Sequence, residues 1–156
     1  MEHISRDAIA LIVFDFDGVM TDNRVIMDEQ GKESVFVSRA DGQGVAILRQ
    51  KDIPMIILSS EKNPVVSKRA EKLSLPVIQS ADQKAEVLSE YCTQNNIPLE
   101  KVLYVGNDIN DLEAMKLCGK TAVPADAHKS VADIADIVLK TKGGYGVARE
   151  LADLII

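Results

Sequence analysis

Asp15 and Asp17 are the residues best placed to do chemistry. They stand two apart at the end of an apolar run, in Leu11–Asp22, LIVFDFDGVMTD. Side chains two apart on an extended chain share a face, so both carboxylates leave the strand toward one point. Gly18 follows, where a chain turning sharply out of a strand needs freedom of φ. Two carboxylates that close repel each other, and keeping both ionised calls for a cation. Magnesium, a hard ion with a preference for oxygen ligands, suits them. A strand end carrying two solvated acids is the plain structural alternative, and residues further along the chain bear on the choice.

Four later positions each fall at or near an expected strand end. Ser59 follows the apolar run Pro54–Leu58, Lys84 stands near the start of a helix, and Gly106-Asn107-Asp108-Ile109-Asn110-Asp111 follows Lys101–Val105. Alone, each has an ordinary explanation: a turn former, a solvated lysine, a helix cap. In this order they resemble the four motifs of the haloacid dehalogenase superfamily of phosphohydrolases, whose first motif reads D-x-D-G-V-x-T-D.

The resemblance implies roles. Asp15 would be the nucleophile that takes the phosphoryl group, and Asp17 the general acid and base. Ser59 would hydrogen-bond the phosphoryl oxygens and Lys84 would neutralise them. The fourth motif would complete a magnesium site with Asp15 and Asp17. Most relatives carry Asp directly after its glycine, whereas this chain has Asn107. Either Asn107 binds through its neutral amide oxygen, or Asp108 turns in, or Asp111 helps through water.

The elements that must position these groups read as alternating strands and helices. Strands are expected over Ala8–Asp15, Pro54–Ser59, Val77–Ile78 and Lys101–Val105, with edge strands at Thr121–Val123 and Asp136–Leu139. Continuous apolar runs suit strands buried on both faces of a parallel sheet. Asn63-Pro64 starts a helix, with Asn as cap. Further helices are expected over about Gln83–Asn95 and Asp111–Cys118, and from Gly146 to the end. Arg24–Met27 and Ser34–Val37 form a hairpin around Asp28–Gly31. Arg39–Gly44 reads as a loop before a helix through Lys51. The pattern predicts an α/β fold: one domain over residues 1–156 with a doubly wound, mostly parallel, Rossmann-like sheet and a hairpin flap at about 24–37. In such sheets ligands bind beyond the carboxyl ends of the strands.

Spacing narrows the substrate. Only 41 residues separate Asp17 from Ser59, and 24 separate Ser59 from Lys84, which leaves no room for a cap domain. The hairpin, the Arg39–Gly44 segment and the tail Gly143–Glu150 resemble a capless branch of phosphatases of 2-keto-3-deoxy sugar acids, tetramers whose subunits cover each other's sites. The resemblance implies a small phosphorylated sugar acid as substrate and a homotetramer with shared active sites. Arg39, Asp41, Gly42, Ser60, Glu61, Lys72 and Arg149 would bind substrate, the arginines by gripping its carboxylate. Members acting on 3-deoxy-D-manno-octulosonate 8-phosphate usually carry Gly-Arg after the second motif. Ser60-Glu61 here resembles members acting on nine-carbon acids of the sialic type, and the phosphatase-like domains attached to acylneuraminate cytidylyltransferases. Lys72, three helical turns beyond Glu61, matches the same subset. Such a domain could instead serve mainly to tetramerise a partner.

Composition sets outer bounds. The 156 residues carry a net charge of −6, which argues against nucleic acid or an anionic membrane as partner. Cys92 and Cys118 match no metal spacing and read as thiols in a reducing compartment. Glu2, Arg6 and Asp7 interrupt any signal-peptide pattern, and a cytoplasmic protein is expected.

Overall fold

The computed structural model describes residues 3–156; Met1 and Glu2, and with Glu2 part of the signal-peptide argument, lie outside it. Six strands form one parallel sheet: β1 (Leu11–Phe14), β4 (Met55–Leu58), β5 (Val77–Ile78), β6 (Val102–Val105), β7 (Lys120–Val123) and β8 (Ile137–Val138). Their order is β5-β4-β1-β6-β7-β8. The chain first builds outward from β1 to β5, then returns to the other side of β1 at β6. That reversal opens a crevice at the carboxyl ends of β1, β4 and β6. Two further strands, β2 (Ile26–Met27) and β3 (Glu33–Ser34), pair antiparallel as the hairpin, with Ile26 opposite Ser34 and Met27 opposite Glu33.

Alternation along the buried strands divides the core between two layers. Ile12 and Phe14 of β1 face a cluster with α1 (Arg39–Gln50), α2 (Pro64–Leu73) and α6 (Val147–Leu154), represented by Leu48, Val66 and Leu151. Leu11 and Val13 face the opposite cluster, with α3 (Lys84–Gln94), α4 (Leu112–Leu117) and α5 (Lys129–Ala132), represented by Leu88, Met115 and Val131. Every residue of β1, β4 and β6 is buried, as strands sandwiched between helices require.

Several boundaries differ from the expectations. Arg39–Gly44 is not a loop: α1 begins at Arg39, capped by Ser38, whose side chain accepts from Ala40 N. Glycine misleads here because Gly44 serves close packing rather than a turn. A Cβ at Gly44 would stand 2.4 Å from the α6 backbone at Ala148 and Arg149. β7 is interior, because β8 pairs along its far side and takes the edge. The hairpin's second strand ends at Ser34, and beyond it only Val37 bridges back, to Thr21. Glu61 precedes the cap Asn63 and lies outside α2, so Glu61 and Lys72 do not share a helix face. No described helix is long and apolar enough to cross a membrane.

Candidate active site

Asp15 follows the last residue of β1 and is anchored by its own N–H, which donates to Val105 O at 2.9 Å. Its Oδ1 accepts from Phe16 N at 2.7 Å and from Lys84 Nζ at 2.9 Å. Lys84 opens α3 and is 3% exposed; its second partner is Asp111 Oδ1 at 2.8 Å. A buried ammonium therefore bridges two buried carboxylates. Burial pulls the Lys84 pKa down, but the two acids outweigh it and leave the pKa raised. Asp111 also accepts from Tyr104 Oη at 2.7 Å, Asn107 N at 2.9 Å and Asp108 N at 3.3 Å. Burial pushes its carboxyl up, yet Lys84 and these donors hold it below the usual range. Asp15, with fewer donors, is raised well above that range by burial and by the neighbouring Asp111 charge.

With all its oxygens engaged inside the protein, Asp111 positions Lys84 and the Asn107–Asp108 turn. It does not face the crevice. Tyr104 belongs to this network and escaped sequence reading. Its signal was a phenol inside an otherwise apolar strand, where a buried hydroxyl needs a partner.

Asp17 stands half-buried at the crevice. Burial raises its carboxyl, and the acids Glu61 and Glu33 add to that, so it holds a proton more readily than an ordinary aspartate. Ser59 terminates β4, and its Oγ accepts from Glu61 N at 3.1 Å, which fixes the turn after the strand. Ser60 Oγ accepts from Asn110 Nδ2 at 3.1 Å and ties this turn to the fourth motif.

Asp15, Asp17, Ser59, Ser60, Glu61, Asn107 and Asp108 line one crevice of about 250 Å³. Glu33 and Val35 of the hairpin segment, with Asn63 at the start of α2, line its other wall. The remaining expected residues fall elsewhere. Asp41 is buried within α1, and Gly42 lies one residue on in the same helix. Arg39, Gly42 and Lys72 line a separate hollow between α1 and α2. Arg149 lies on α6, where its Nε approaches Asp153 Oδ1 at 3.6 Å.

The crevice fits a divalent cation. The Asn107 amide stands 2.8 Å from Asp15 Oδ2 and 2.9 Å from the Asp17 main-chain carbonyl oxygen. Both neighbours are acceptors, so without a metal the NH2 end of the amide faces them. Half a turn about the terminal bond presents the amide oxygen instead. The amide oxygen would then stand 2.8 and 2.9 Å from two further oxygens, about the separation that adjacent octahedral positions around magnesium require. Among the described residues no three acidic, His or Cys side chains form a metal cluster. An amide and a main-chain carbonyl supply two of the three donors here. Asp108 Oδ1 is meanwhile occupied by Ile109 N at 2.7 Å.

An aspartate held by a buried lysine beside a cation-ready oxygen cluster, at the switch point of a doubly wound sheet, defines a site for phosphoryl transfer. The family profile of haloacid dehalogenase-like hydrolases matches residues 49–151. The chain belongs to that family and is a phosphomonoester hydrolase; phosphatases of this family use magnesium. It is 31% identical over 149 residues to the 3-deoxy-D-manno-octulosonate 8-phosphate phosphatase of Haemophilus influenzae, covering 95% of this chain and 83% of that one. The corresponding enzyme of Escherichia coli K12 is also 31% identical, over 160 residues, covering 98% and 85%. Among solved structures, a HAD family protein of Streptomyces avermitilis superposes with TM-score 0.95 at 44% identity, over 98% of this chain and 88% of that one. The 3-deoxy-D-manno-octulosonate 8-phosphate phosphatase of Moraxella catarrhalis was solved with magnesium, phosphate and the sugar acid. It superposes with TM-score 0.90 at 27% identity, over 96% of this chain and 86% of that one.

Proposed function

We propose that the protein hydrolyses the phosphomonoester of a 2-keto-3-deoxy sugar acid, with 3-deoxy-D-manno-octulosonate 8-phosphate as the substrate its relatives support best. The observation that carries the chemistry is the Asp15 carboxylate, locked by Lys84 with Asp17 two residues away at the crevice. Asp15 attacks phosphorus, an O–P bond forms, and the ester P–O bond breaks. Asp17, whose carboxyl burial and the Glu61 and Glu33 charges raise above the usual aspartate range, donates its proton to the departing sugar oxygen. The resulting Asp17 carboxylate takes a proton from water, whose oxygen displaces Asp15 and releases phosphate. Ser59 holds a phosphoryl oxygen at the crevice, and Lys84, buried behind Asp15 and paired with it at 2.9 Å, offsets negative charge there from outside the crevice lining. A magnesium ion held by Asp15, the Asp17 carbonyl and Asn107 would neutralise developing charge.

Substrate grip extends to a second subunit in this reading. Among the described residues, no Lys or Arg lines the crevice, while Asp17, Glu33, Glu61 and Asp108 do. An acidic mouth does not hold a sugar carboxylate. The hollow containing Arg39 and Lys72 also contains Arg49 and Arg69, which makes it strongly cationic. A tetramer that turns this face to a neighbour's crevice would supply the missing grip, with Arg149 as a further candidate.

A nine-carbon sialic-type acid phosphate is the second reading, favoured by Glu61 in the crevice wall, where eight-carbon enzymes usually carry Gly-Arg. The low charge at Asn107 favours a third, an assembly module with little activity attached to a cytidylyltransferase. Phosphate release with magnesium over a panel of eight- and nine-carbon keto-acid phosphates separates the three. The eight-carbon ester should give the highest kcat/KM, and Asp15→Asn should abolish turnover while remaining folded. Turnover by Asp15→Asn within tenfold of wild type would remove the nucleophile assignment. No release from any ester would leave the assembly reading.

A further inference from the structure

Asp41 is 1% exposed, yet it lies outside the crevice and touches no group that reacts. Its Oδ1 accepts from Ala148 N at 2.9 Å, across 107 residues of chain. Ala148 is the second residue of α6, whose own cap, Gly146, has φ +107° and no side chain to offer. Asp41 therefore caps α6 from a neighbouring helix, and the carboxylate complements the positive helix end. Its other oxygen has no partner, and burial raises its carboxyl to about 6 despite the Ala148 hydrogen bond and the Arg69 charge. For stability alone this is a poor cap, because a buried charge with an unfilled acceptor is costly.

The segment that α6 anchors gives the cap a purpose. Gly143–Gly146 runs directly over the loop after Asp17. Gly144 N donates to Val19 O at 3.0 Å. A Cβ at Gly143 would stand 1.9 Å from Gly18 O, and one at Gly144 would stand 2.4 Å from Asp22 N. The 18–22 loop is thus pressed between this glycine strap and the Asn107 amide, which a Cβ at Gly18 would overlap. Movement of α6 along its axis would be passed through the strap to the loop, and from there to Asp17.

We propose that Asp41 is a positioning residue for Asp17: by capping α6 it fixes the glycine strap, and the strap fixes the 18–22 loop that directly follows the general acid. The kinetic consequence rests on the phosphatase reading above; the mechanical one does not.

The test uses the full chain. Amide hydrogen exchange of Asp41→Ala should rise at least tenfold at Gly144, Ala148 and residues 18–22, with β1 and β6 unchanged. With p-nitrophenyl phosphate and magnesium, kcat should fall at least tenfold and KM stay within threefold. Asp41→Asn, which keeps an acceptor for Ala148 N, should restore both within threefold. Gly144→Ala should lower kcat similarly, and adding Asp41→Ala to it should cost little more, as expected of two steps in one line. If Asp41→Ala does not fold, Asp41→Ser carries the same comparison. Unchanged exchange at 18–22 in a folded variant overturns the inference, as does a kcat within twofold of wild type. If wild type releases no phosphate, the phosphatase reading fails and the exchange measurement still decides the role of Asp41.

Discussion

At Asn107 one amide replaces the carboxylate usual in the family, and two opposite effects follow. Without metal, the amide donates to Asp15 Oδ2 and the Asp17 carbonyl, so the crevice floor is satisfied. With metal, it offers a neutral oxygen where relatives offer a charged one. Asn107→Asp should therefore tighten magnesium binding by about tenfold, since ligand charge sets cation affinity. It should also lower Tm in chelator, where two carboxylates would stand 2.8 Å apart. Calorimetry and melting with and without magnesium check both signs. Unchanged affinity would mean Asp108 already supplies the charge.

A second prediction at this scale concerns pH. Burial pushes the folded Asp41 carboxyl up to about 6, against about 3.9 in an unfolded chain. Between those values the folded state keeps a proton that the unfolded chain has released, so this group's contribution to stability falls as pH rises through the window. The full loss is about 3 kcal/mol at most. Asp41→Asn removes that dependence. Its stability relative to wild type should rise between pH 4 and 6, then stay level to pH 8. Urea unfolding at pH 3.5 and 8 measures it, and equal differences at both would contradict the assignment.

Among the described elements, α1 and α6 share the most extensive contact, and Gly44 makes the close approach possible. Its missing Cβ leaves room for the α6 backbone, 2.4 Å from where that atom would be. Backbone cannot rotate away as a side chain can, so Gly44→Ala should destabilise by roughly 2–3 kcal/mol. That corresponds to a Tm lower by roughly 5–10 °C. Because α6 also anchors the strap, activity per folded molecule should fall as well. A variant with wild-type Tm would show that the helices separate freely.

For the whole molecule, the hairpin is the feature a monomer explains least. Ile26, Met27 and Phe36 are 59%, 61% and 63% exposed. Two residues per strand make a hairpin that is marginal alone. Val35 differs, since it packs on the core and lines the crevice. The proposed tetramer would bury the three outward residues. Ile26→Asp, Met27→Asp and Phe36→Asp together should reduce the mass seen by light scattering and raise KM, with the sheet intact by circular dichroism. A fully active monomer would show that each subunit closes its own site.

The order of motifs, the buried parallel strands and the convergence of Asp15, Asp17, Ser59 and Asn107 were legible in the sequence. Each rests on a local rule: period-two alternation, an apolar run, a residue just past a strand end. The Asn63 cap was legible for the same reason. What the sequence alone left open depended on residues far apart in the chain. Gly44 read as a loop glycine because the helix that packs on it begins about a hundred positions later. Asp41 read as a substrate ligand, and only packing shows it capping α6. Asp111 read as a metal-site acid, and only the fold shows Lys84, Tyr104 and two N–H groups filling its oxygens. A side chain's partners across the fold decide whether a charge serves chemistry or holds the chemistry in place, and local pattern carries no record of those partners.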